Sequence, residues 1–69
     1  MDAKEIRLGG TYVGGKNDQR RVAVSWGSSE SYVCWAPEEA RLPYGGFIRT
    51  RCTETASFAK WAKRSAKEE

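Results

Sequence analysis

FIRTRCTETASFAKWAKR, residues 47 to 64, carries two periodicities in one run. Up to Cys52 the residues alternate, with Ile48, Thr50 and Cys52 on one side and Phe47, Arg49 and Arg51 on the other, which is the period of a strand. Beyond it Phe58, Trp61, Ala62 and Ser65 recur at helical spacing. Thr53 or Thr55 can accept the first helical amide hydrogen bonds, and Glu54 suits a positive helix start. The run therefore predicts a strand from Phe47 to Cys52 and a helix from about Glu54 or Thr55 to about Ala66, with Lys63, Arg64 and Lys67 toward its end, where cations are favoured.

Upstream of this stretch the period is two throughout. Ile6, Leu8, Gly10 and Tyr12 fall on one face, and the turn-rich cluster Gly14, Gly15, Lys16, Asn17 and Asp18 follows. Arg21 to Trp26 alternates again, with Val22, Val24 and Trp26 on one face and Arg21, Ala23 and Ser25 on the other. GSSE, residues 27 to 30, reads as the next turn, and SYVCWA, residues 31 to 36, is apolar or aromatic on both faces, as a strand covered twice would be. PEEARLPYGG, residues 37 to 46, holds both prolines and a glycine pair and reads as a loop. The pattern predicts a mainly β chain: a small antiparallel SH3-like barrel or bent meander of four to five strands, closed by one C-terminal helix. A flat sheet with one helix packed on it is the competing picture.

A chain of 69 residues makes one domain with a small core, here residues 1–69 with 1–4 and 67–69 expected as disordered ends. Three Trp, three Tyr and two Phe make that core attainable, because large rings bury much apolar area per residue ordered, and Trp26, Trp35 and Trp61 are expected in it. The net charge of +3 permits an acidic partner without requiring one. The opening residues MDAKEIRLGG mix charges and contain no apolar run, so no signal peptide is expected, and no stretch approaches the ~20 apolar residues of a membrane span. Two cysteines, Cys34 and Cys52, are too few for a disulfide-rich scaffold. A cytoplasmic chain with both thiols free is the resulting expectation, and whether the two lie together is left open.

Gly-Gly-x-Tyr at residues 9 to 12, Arg-Arg-Val at 20 to 22, Tyr-Val-x-Trp at 32 to 35 and the closing Phe-x-x-Trp-Ala at 58 to 62 run through most of the chain. In these motifs the sequence resembles short uncharacterised proteins of bacteriophages and prophages. The resemblance implies a phage or prophage origin and a compact β-rich fold ending in a helix. It supplies no catalytic residue.

The residue inventory points away from enzymes. There is no histidine, which removes the Ser-His and Cys-His nucleophile arrangements and most zinc sites. Cys52 follows Arg51 and precedes a helix start, which could activate a thiolate, but a small core hydrophobe explains either cysteine more simply. Glu38 and Glu39 lie adjacent in a predicted loop with nothing apolar around both. GGTYVGG, residues 9 to 15, has neither phosphate-loop order of glycines nor a helix after it, so its glycines read as turn residues. No catalytic, cofactor-binding or metal-binding residue is assigned.

Binding is what remains. Arg49 and Arg51 beside Phe47, with Tyr44 in the preceding loop, form the predicted partner-binding group, since Arg and aromatic residues are enriched at protein interfaces. The alternative is a nucleic-acid surface. It would use Arg20, Arg21, Lys60, Lys63, Arg64 and Lys67 together with the strand arginines for phosphates, and Phe47 or Tyr44 for stacking on bases. The main expectation is a small non-enzymatic module that binds a protein, with no cofactor, no membrane and an oligomeric state left open.

Overall fold

The computed structural model describes residues 1–66. Its strands are β1 (Thr11–Gly14), β2 (Gln19–Trp26), β3 (Tyr32–Pro37), β4 (Arg51–Glu54) and β5 (Ala62–Ser65), and one helix, α1 (Thr55–Trp61), joins β4 to β5. All pairings are antiparallel, in the order β4-β3-β2-β1-β5. The result is the predicted bent meander rather than a closed barrel, because β4 and β5 are not paired with each other.

The helix is shorter than its periodicity suggests. It stops at Trp61, and Ala62 is already extended at φ −72°, ψ 125°. Arg64 and Ser65 pair with Val13 and Tyr12 of β1, and Ala62 with Gly14. A helix of two turns has little stability of its own, whereas β1 would otherwise be an open edge, so strand pairing wins over the helical continuation to Ala66. Neither expected threonine caps α1. Glu54 holds the N-cap position without a side-chain bond, and Thr55 instead donates its hydroxyl to the Glu30 carbonyl at 2.8 Å, tying α1 to the β2–β3 turn.

β2 does not keep strict alternation either. Its register with β3 shifts between Ala23 and Ser25, so Val24 sits at a bulge. The bulge turns Trp26 to the same side as Ala23, where it packs, partly buried, against the core to which Ala23 belongs. The expected pairing of Trp26 with Val22 and Val24 on one face, opposite Arg21 and Ala23, is thereby overturned. Arg21 and Ala23 lie on the inner face.

The N-terminal run expected as a strand from Ile6 begins differently. Asp2 caps a 3-10 turn over Ala3–Glu5 in a reciprocal capping box, and β1 starts only at Thr11. The buried Tyr12 hydroxyl accepts from the Arg7 amide at 2.6 Å and donates to the Glu5 carbonyl at 3.1 Å, which fixes this segment across the core. Met1 and Ala3, at the end expected to be disordered, pack against the core. The other such end, 67–69, lies outside the described residues.

Phe58, 1% exposed, is the centre of the core, with its ring 5.7 Å from Tyr12, 6.4 Å from Trp35 and 5.3 Å from Trp61. Ile6, Ala23, Val33, Ala59 and Ala62 complete the buried cluster, and the three tryptophans are partly buried against it. Gly14 is dictated by this packing. A side chain there would meet the backbone of Trp61, with the Trp61 carbonyl carbon only 2.9 Å from its first atom.

Cys34 and Cys52 face each other across β3 and β4 and form a disulfide. The expectation of two free thiols is thus corrected. The pairing follows from the β3–β4 register, which places Cys34 opposite Cys52 just as it places Trp35 opposite Arg51.

A cationic and aromatic cleft as candidate functional site

Arg21 is the only arginine on the inner face of β2, where its neighbour two residues on, Ala23, is fully buried. Its guanidinium carbon lies 4.0 Å from the centroid of the Trp35 ring and 4.1 Å from that of Trp61. Three elements make this stack: β2 supplies the cation, β3 one ring and the end of α1 the other. A planar guanidinium can lie against aromatic faces while its rim keeps hydrogen-bond donors, and here one donor reaches the Gln19 side chain at 3.4 Å. Burial, and after it the neighbouring charge of Arg51, lowers the Arg21 pKa from its ordinary value. The side chain remains a cation at physiological pH, since an arginine starts so far above it.

The stack stands at the wall of a cleft of about 760 Å³. Arg20, Arg21, Arg49 and Arg51 all line it, with Trp35 and Ile48. Asp18, Glu38 and Glu39 also contribute to its rim. Glu38 is within 3.3 Å of the Arg20 guanidinium, and Asp18 pairs with Lys63 at 3.2 Å. Arg21, Arg49 and Arg51 make no ion pair among the described residues. The cleft therefore combines three arginines without an ion-pair partner among the described residues and three acids, of which Glu38 and Asp18 are already paired. Its shape and donor set suit an anionic group attached to something large enough to touch the aromatic wall.

The structure brings together four of the residues singled out in the sequence, Arg20, Arg21, Arg49 and Arg51, and separates the others from them. Phe47 does not share a strand with Arg49 and Arg51, because β4 begins at Arg51 and residues 48 to 50 are irregular. Phe47 instead bridges to Arg41, whose guanidinium lies 5.6 Å over its ring. The turn responsible is Leu42 to Gly46, which needs positive φ at Gly45 (90°) and Gly46 (76°). Tyr44 sits at its tip, fully exposed and not in the cleft wall.

The expected helical stripe of cations does not exist as such. Lys60 is on α1, Lys63 and Arg64 are successive residues of β5 and so point to opposite sides, and Lys67 lies outside the described residues. Trp35 and Trp61, read from the sequence as core filler, turn out to be both core and site. The signal that could have found them is an arginine two positions from a core alanine on an inward strand face. Such an arginine needs partners, and aromatic faces are the partners available to it.

Fold and cleft define a small β-rich domain whose most distinctive surface is a cationic cleft walled by tryptophan. No protein-family model, no curated protein and no solved structure matches this chain. No helix among the described residues is long and apolar enough to cross a membrane.

Proposed function

We propose that this chain is a small non-enzymatic binding module, SH3-like in kind and phage- or prophage-encoded as its sequence resemblance implies, which engages a protein partner through the arginine and tryptophan cleft. The observation that carries the reading is the position of Arg21 between Trp35 and Trp61. Stacking on bases needs a free ring face, and the ring faces turned toward this stack are already covered by a cation. The mixed charges of the rim, with Asp18, Glu38 and Glu39 interleaved among arginines, favour a patterned protein surface over a continuous run of phosphates. Arginine with tryptophan at a concave centre is also the composition of protein interface hot spots.

A cytoplasmic setting drew on two free thiols, and the Cys34–Cys52 bond removes that support, because structural disulfides persist mainly in oxidising compartments. A photo-crosslinking residue at position 48, in the cleft wall, tests the reading in host extract. The expected adducts are protease-sensitive, resist nuclease, and vanish when Arg49 and Arg51 are both replaced by Ala. Adducts destroyed by nuclease would move the assignment to the nucleic-acid alternative.

A further inference from the structure

Arg49 and Arg51 are exposed, two residues apart in sequence, and line the same cleft as Arg21, which stacks on two rings. Arg51 stands directly opposite Trp35 in the β3–β4 register, and Trp35 is one of the two rings that hold Arg21. Arg21 and Arg51 are near enough to repel each other, Arg49 lines the same cleft, and none of the three makes an ion pair among the described residues. Like charges held together cost free energy unless something of opposite sign joins them. Arg21 feels both its burial, which lowers its pKa most, and the neighbouring charge of Arg51, which lowers it further.

We infer that the cleft recognises an acidic segment of the partner, with side-chain carboxylates seated on Arg49 and Arg51 beside the fixed cation of Arg21. The inference rests on the protein-binding reading above and narrows it to a partner chemistry. A carboxylate accepts two parallel N–H bonds from a guanidinium, so an acidic segment lying in the cleft can seat one carboxylate on Arg51 and another on Arg49. The acids in the same lining, Glu38 and Glu39, limit how far the negative charge of a ligand can extend. A single-stranded nucleic acid meets the cleft unfavourably, because the Trp35 and Trp61 faces on which its bases would stack are covered by Arg21.

The test is a titration of the uniformly 15N-labelled chain with three probes: hexaglutamate, hexaglutamine and hexathymidylate. It is followed through the Nε–H resonances of the arginines and the indole N–H of Trp35, at about 50 mM salt so that charge contacts are not screened away. Hexaglutamate is expected to shift Arg49, Arg51 and Trp35 saturably, and hexaglutamine to leave them in place. Arg51→Gln should weaken hexaglutamate about tenfold, whereas Lys60→Gln, which removes the same charge from outside the cleft, should weaken it by less than about twofold.

Equal binding of hexaglutamine, or equal effects of the two substitutions, would overturn the carboxylate assignment. Absence of any hexaglutamate shift would overturn it too, while protein adducts from position 48 would leave the broader reading standing. Tighter binding of hexathymidylate at the same resonances would overturn both. Concentration-dependent shifts without a probe would make a second copy of the chain the occupant and overturn the acidic-segment assignment.

Discussion

Arg21 does two things that pull against each other. Its stack on Trp35 and Trp61 holds β2, β3 and the end of α1 together, and its charge repels the neighbouring Arg51. A cation on a partly desolvated ring contributes roughly 0.5–2 kcal/mol, so two rings outweigh one screened repulsion at the surface. Arg21→Met keeps the apolar stem between the rings and deletes the charge, and is expected to lower stability by about 1–2 kcal/mol in urea unfolding, with an unchanged slope. Arg21→Lys should fall between the two, because an ammonium cannot lie flat against both rings at once. A midpoint for Arg21→Met equal to that of the parent chain would mean the stack contributes nothing.

Among the elements, α1 and β5 depend on one glycine. The chain turns from helix to strand at Trp61 and Ala62, and β1 accepts β5 only by letting the Trp61 backbone approach Gly14 within the space a side chain would need. Gly14→Ala forces that backbone away and is expected to cost about 3 kcal/mol, the upper range for overpacking. Gly45→Ala is the comparison: its φ of 90° is strained for alanine but nothing surrounds the position, so a loss of about 1 kcal/mol is expected. Thermal unfolding of the two variants separates them. If Gly14→Ala is no worse than Gly45→Ala, β5 does not dock on β1 as described.

The helix-to-strand change was not legible beforehand, for a definite reason. Phe58, Trp61 and Ala62 do fall at helical spacing, but Ala62 is buried because it pairs with Gly14 in a sheet, and the same apolar residue satisfies both patterns. The strand at Phe47 failed in a similar way. Alternation over six residues is compatible with an irregular segment when a glycine turn and a bridge to Arg41 hold its start. The arginine group was half legible: Arg49 and Arg51 were marked by spacing to each other, but their association with Trp35 depended on the β3–β4 register.

For the whole molecule, stability is small in absolute terms. A domain of this size has a total on the order of 3–10 kcal/mol. The Cys34–Cys52 bond closes a loop with a sequence separation of 18, and a loop of that size is worth about 3 kcal/mol. Reduction alone should therefore lower the urea midpoint and leave the chain folded at about 25 °C. Reduction combined with Arg21→Met removes about 4–5 kcal/mol if the two effects add, and is expected to abolish the native baseline at that temperature. Tryptophan fluorescence reads both, since two of the three rings surround Arg21. A reduced double variant that still unfolds cooperatively from a full native baseline would show that neither feature is needed to hold the domain together.

The sequence by itself determined the class of this protein: a β meander with one helix near its end, a core built on large rings, and a surface rich in arginine. These follow from local period and side-chain size, which need no knowledge of what lies across the sheet. Only the tertiary structure decided that Cys34 meets Cys52, that Arg21 is held between Trp35 and Trp61, and that Arg20, Arg21, Arg49 and Arg51 share one cleft while Tyr44 and Phe47 stand apart. Each of those outcomes depends on strand register, and a bulge at Val24 or a glycine turn before Phe47 shifts the register without altering the pattern that a single strand displays.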